Sequence, residues 1–124
     1  MSRVKSKDTS PEMTVRRLVY GMGYRYRLHD KRLPGKPDLV FFGRRKVIFV
    51  NGCFWHGHDG CRYARLPKTR VAFWKTKIEK NRARDDEIAS VLRADGWKVL
   101  TLWQCEIKNI EELESKLYGF IEHE

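Results

Sequence analysis

The chain has 124 residues, 41% of them hydrophobic, with 26 Lys and Arg against 16 Asp and Glu and a formal net charge of +10. That length supports one domain with its own core and needs no disulfide stapling. No apolar run approaches a membrane span, Met1-Ser-Arg-Val-Lys-Ser-Lys7 is too polar for a secretory leader, and a pI near 9.8 favours a polyanion as partner, nucleic acid first.

In chain order, Thr9-Ser-Pro-Glu12 predicts a helix start. Thr9 or Ser10 can cap it, Pro11 suits the first turn, and Glu12 complements the positive end of the dipole. Val15, Leu18, Val19 and Met22 form its apolar stripe, and Gly21 and Gly23 stop it. Residues 24–28 alternate as a strand. Residues 38–42 and 46–50 are apolar enough to be central strands, joined by a hairpin turn at Gly43-Arg-Arg45. A cysteine- and glycine-rich loop follows, then a helical region over 69–95 ended by Gly96, and a fourth strand over 97–103. Asn109-x-x-Glu112 caps a closing helix that carries Leu113, Leu117, Phe120 and Ile121. The order αβββ, loop, αβα defines an α/β domain over 1–124, with no repeat, low-complexity segment or linker.

The second helical region carries the stripe Trp74, Ile78, Asn81, Asp85, Ile88, Leu92, whose middle members are polar. Either the helix breaks near Asn81 and these two residues cap its second piece, or Asn81, with Lys77 and Arg84 one turn to either side, faces phosphate. The positive charge fills the N-terminal two-thirds of the chain, whereas 111–124 is acidic, so the binding face is expected away from the C-terminus.

The densest chemistry lies in Asn51-Gly-Cys-Phe-Trp-His-Gly-His-Asp-Gly-Cys61. Cys53, His58 and Cys61, with the distant Cys105, supply the four soft ligands of a closed tetrahedral zinc site. All three cysteines of the chain are in that set, which argues for thiolates in a reducing cytoplasm over a disulfide framework. Asp38 opens an apolar strand in Leu33-Pro-Gly-Lys-Pro-Asp38, where two prolines are expected to hold the approach extended. A residue so placed is ordinarily a turn or capping residue. Its hairpin partner, however, runs into the zinc loop, and a carboxylate beside a strand-end carbonyl is a hard-oxygen seat for Mg²⁺. His56 is either a surface residue or the proton handler, with Glu12 able to orient it. Phe54 and Trp55, in a polar loop, are hard to bury and suit base stacking. Trp74 reads more readily as core, at helical spacing from Ile78.

These blocks resemble the very-short-patch-repair (Vsr-type) mismatch endonucleases. The matching segments are Pro11-Glu12, Leu33-Pro-Gly-Lys-Pro-Asp38, Val47-Ile-Phe-Val-Asn-Gly-Cys-Phe-Trp-His56, Phe73-Trp-Lys-Thr-Lys-Ile78 with Asn81 and Arg84-Asp85, and Gly96-Trp97 through Cys105. The resemblance implies a restriction-endonuclease-like fold and Mg²⁺-dependent nicking of double-stranded DNA on the 5′ side of the thymine in a T:G mismatch. It implies Asp38 and the Val50 carbonyl as Mg²⁺ ligands, His56 as catalytic with Glu12 in support, and Cys53, His58, Cys61 and Cys105 as zinc ligands. Phe54, Trp55 and Trp74 are the rings it implies wedge into DNA.

The pattern departs at Asn51, where such proteins usually have histidine. Asparagine hydrogen-bonds a water or phosphate but exchanges no proton near neutral pH, so weakened nicking is expected. Family members often carry residues ahead of Met1 that clamp DNA, so weaker binding is expected as well. The expectation is a monomer of the bacterial cytoplasm, associated with the nucleoid, with mismatch-repair proteins as further partners and no membrane. Two rivals remain: a mismatch or DNA-shape reader that no longer cuts, and a homing- or restriction-type nuclease on the same fold.

Overall fold

A computed structural model describes residues 9–123, so the reading of Met1 to Lys7 as too polar for a leader lies outside the described residues. Helix α1 (Ser10–Gly21) begins as its sequence predicts: the Thr9 side chain accepts the Glu12 N–H, and proline occupies the first turn. Strands β1 (Arg27–Leu28), β2 (Leu39–Phe41) and β3 (Lys46–Asn51) follow, then α2 (Val71–Ala94), β4 (Lys98–Trp103) and α3 (Ile110–Glu122). The Asn109 side chain caps α3 by accepting the Glu112 N–H.

The strands form one mixed sheet in the order β1-β2-β3-β4, antiparallel up to β3 and parallel between β3 and β4. Both faces are covered, which is why β2 and β3 read as continuous apolar runs. On one face Leu39, Phe41, Ile48 and Leu102 pack with Val15 and Val19 of α1 and with Leu113, Leu117 and Ile121 of α3. On the other, Val40 and Val47 meet Leu92 and Trp97, with Ile88 of α2 alongside. Each such fully buried aliphatic side chain contributes roughly 1.5–3 kcal/mol. Lys46, buried at the start of β3, donates its Nζ to the carbonyls of Phe120, Ile121 and His123, so its charge meets the negative end of α3.

Three expectations change. Helix α2 runs unbroken through Asn81, because Asn81 and Asp85 find partners outside the helix and neither caps a second piece. The approach to Asp38 is a turn, not an extended segment: Lys36 N–H bonds to the Leu33 carbonyl, and Gly35 (φ +75) and Lys36 (φ 46) are left-handed. Gly35 is required there, since a Cβ would lie 2.7 Å from the Ile88 side chain of α2. β1 is also shorter than the alternating run that predicts it, two residues against five.

Candidate active site and metal cluster

Four elements bring polar groups to one edge of the sheet. Glu12 is in the first turn of α1 and only 2% exposed. Asp38 immediately precedes β2, and its Oδ2 accepts the Val50 N–H of β3 at 2.6 Å. His29 follows β1 and extends the β1–β2 register by one pair, its N–H bonding to the Asp38 carbonyl. Its Nε2 lies 2.7 Å from Glu12 Oε2 and 3.6 Å from Asp38 Oδ1. Burial pushes the Asp38 carboxyl up to about 7; the Val50 N–H opposes that, Glu12 adds to it, and His56 pulls it down.

His56 therefore sits within electrostatic reach of Asp38, but Glu12 does not support it as expected. Glu12 lies against His29 and accepts from Arg16, while His56 Nδ1 lies 2.5 Å from Asp85 Oδ2 on α2. One turn earlier on that helix, Asn81 donates its Nδ2 to the Trp55 carbonyl at 2.8 Å. The polar pair in the α2 stripe thus tethers the loop that carries His56, and Asn81 is engaged with that loop. Lys77 and Arg84 remain exposed on the same helix. Asn51 ends β3 and is 8% exposed. It shares a cleft of about 800 Å³ with Asp38, Val50, His56, Asp85 and Arg84.

The loop after β3 folds back through His56 N–H to Gly52 O and His58 N–H to Cys53 O. Gly57 (φ +60) lets it lie against α2, where a Cβ would be 2.5 Å from Ile78 and 2.8 Å from Arg82. One ligand atom from each of Cys53, His58, Cys61 and Cys105 lies within 4.8 Å of the others, so the four residues form a cluster able to hold a metal ion. The His58 ring stacks on Trp103, centroids 4.1 Å apart and planes 7° apart, which fixes its orientation. Burial pushes the Cys53 thiol up to about 12 and raises Cys105. Cys61 lies below its ordinary value: burial opposes this but is outweighed by the Tyr63 N–H and the neighbouring thiols.

Phe54, Trp55 and Trp74 form an edge-to-face triangle with centroids 5.2–5.6 Å apart, and all three are half-buried. Trp74 therefore belongs with the loop rings and not with the core. Phe73, which the sequence reading passed over, joins the group at 5.1 Å and is 46% exposed. His29 and Asp85 were also missed as site residues. Asp85 signalled itself as a carboxylate on an inward helical stripe; His29 becomes visible only through the strand register.

Among the described residues no helix is long and apolar enough to cross a membrane. The family model "DNA mismatch endonuclease Vsr" matches residues 1–62. The chain is 52% identical over 122 residues to "Type II nicking enzyme V.XorIIP" of Xanthomonas oryzae pv. oryzae, a match covering 98% of this chain and 89% of that relative. It is 44% identical over 109 residues to "Type II nicking enzyme V.NmeAIP" of Neisseria meningitidis serogroup A (88% and 77% covered). It is 42% identical over 113 residues to "DNA mismatch endonuclease Vsr" of Escherichia coli K12 (91% and 72% covered). By those matches the chain belongs to the Vsr family and is an endonuclease acting on DNA.

Proposed function

We propose that this endonuclease nicks duplex DNA on the 5′ side of the thymine in a T:G mismatch, using Mg²⁺ held at Asp38, and so begins very-short-patch repair. The observation that carries the reading is that Asp38 and the His56–Asp85 pair line one cleft, with Glu12 grouped beside Asp38 and half-buried rings on the loop that carries His56. The fold is then of the restriction-endonuclease-like type, and the protein acts as a monomer in the bacterial cytoplasm, where the chromosome lies.

The donor set fits a divalent cation: two carboxylates and a buried imidazole nitrogen without a hydrogen-bond partner converge within 4.8 Å. Such an ion supplies Lewis-acid polarisation of the scissile phosphodiester and stabilises the leaving oxygen. Asp38 and Glu12 hold it. Val50 supports the site by donating its backbone N–H to Asp38 Oδ2, and its carbonyl is the further oxygen proposed as a ligand. Asp85 fixes the tautomer of His56 through Nδ1, which leaves Nε2 to exchange the proton of the attacking water or the leaving group. Asn51 orients phosphate or water but transfers no proton. Phe54, Trp55 and Trp74, with Phe73, present flat apolar faces to unstacked bases, while Lys77 and Arg84 meet phosphates. Zn²⁺ in the Cys53, His58, Cys61 and Cys105 cluster holds the loop.

Labelled T:G and T:A duplexes test the reading. The protein should nick T:G with Mg²⁺ and leave T:A intact, and Asn51→His should accelerate nicking by about 10²-fold or more. Equal cutting of both duplexes would favour a restriction-type enzyme. Because Asn51 cannot shuttle a proton, a DNA reader that no longer cuts is the second reading; absence of nicking with every divalent metal would support it. Asp85→Asn should lower the rate by about 10²–10⁴-fold without changing duplex affinity, and His56→Ala in that background should add little. Additive losses would show that the two residues do not act as a unit.

A further inference from the structure

His29 handles no proton in the proposed chemistry, yet it is built into the site. Its Nε2 is buried, 2.7 Å from one carboxylate oxygen and 3.6 Å from another, and it makes no hydrogen bond. A nitrogen at that distance from Glu12 without hydrogen-bond geometry is not directed at the oxygen. Ligand atoms bound at roughly 2.0–2.2 Å around one ion sit about 3 Å from each other, and the separations of His29 Nε2 from the two carboxylates, 2.7 and 3.6 Å, bracket that value. The backbone adds a second sign: His29 is left-handed (φ 46), an uncommon conformation for a residue with a side chain. The bond from its N–H to the Asp38 carbonyl holds it so, and uncommon backbone conformations collect at functional sites.

We propose that His29 is the nitrogen ligand of the catalytic cation, completing a Glu12–His29–Asp38 site that binds a first-row transition ion such as Mn²⁺ more tightly than Mg²⁺. The physical reason is ligand softness. Mg²⁺ favours oxygen donors in near-ideal octahedral geometry, whereas imidazole adds affinity for transition ions. An all-oxygen site would discriminate far less between Mg²⁺ and Mn²⁺. The inference rests on Asp38 being a metal ligand and adds to it the identity of a neighbouring donor and the preferred metal class.

The experiment is Mn²⁺ binding to the intact protein, with its Cys/His cluster loaded, followed by calorimetry and by pulsed electron paramagnetic resonance. The wild type should show ¹⁴N modulation from a directly bound imidazole, and His29→Gln should abolish it while His56→Gln retains it. His29→Gln should weaken Mn²⁺ by about tenfold or more and Mg²⁺ by less than about threefold. Mn²⁺ that binds in an Asp38-dependent way without nitrogen modulation, or with modulation that survives in His29→Gln, overturns the inference and leaves the Asp38 reading standing. Mn²⁺ binding unchanged in Asp38→Asn, or absent from the wild type, overturns both. The spectrum reports ligation directly, so a His29 that merely props Glu12 would not produce it.

Discussion

Asp38→Asn should abolish nicking, a fall of about 10³-fold or more, while binding to the mismatched duplex survives. Losing a cation that supplies several kcal/mol of transition-state stabilisation sets that scale. Asparagine is the informative replacement because its Oδ1 can still accept the Val50 N–H, so the β2–β3 edge stays in place. A rate within tenfold of the parent would remove Asp38 from the chemistry.

The same substitution should stabilise the metal-free protein in a pH-dependent way. Burial raises the folded-state pKa of Asp38 to about 7, above its unfolded value near 4. Between those values the folded chain holds a proton that the unfolded chain has released, so stability from this group falls as pH rises and is lost above about pH 7. At pH 8 without divalent metal, Asp38→Asn should therefore be more stable by about 4 kcal/mol, or roughly 10–20 °C in Tm. The gap should close towards pH 4. Added divalent metal should raise the Tm of the parent and leave that of the variant in place. A gap that widened on acidification would reverse the sign of the argument.

The elements were legible where local signals and burial agreed. Thr9 and Asn109 cap the helices that their sequences announce, and the apolar runs of β2 and β3 are central because helices cover both faces. The Cys/His cluster was legible because four ligand residues at loop and strand-end positions have few other uses. The partners of the titratable groups were not. Which carboxylate reaches His56 depends on how the loop lies against α2, and that is set by Gly57 and Asn81 through contacts far apart in sequence. The polar members of the α2 stripe looked like a helix break because helix propensity carries no record of a tertiary partner. His29 was invisible for a similar reason: its place in the site follows from the register of a strand only two residues long.

Removing the metal from the Cys/His cluster should have the other large effect, and a local one. Purified protein should contain about one zinc per chain, as four closed protein ligands require. Cys53, His58 and Cys61 lie after β3, and Cys105 lies in the 3-10 turn Gln104–Lys108 after β4. Because β3 and β4 are parallel and Asn51 pairs with Trp103, both segments leave the same edge of the sheet, and a metal held by the four residues would join them there. The apolar clusters formed by α1, α3 and α2 with the sheet draw on none of the four ligands. Chelation or Cys105→Ser should therefore release the loop without unfolding the sheet: far-UV circular dichroism should be largely retained, and trypsin should cut faster at Arg62 and Arg65. Nicking should fall by about 10²-fold or more, because His56 lies between the first two loop ligands and loses its position against Asp85. Zinc-depleted protein that keeps parental nicking once Mg²⁺ is restored, and parental protease resistance, would show that the four residues hold the loop by packing alone. Global unfolding on chelation would instead mean that the metal stabilises the whole domain, with the free energy of binding acting as free energy of folding.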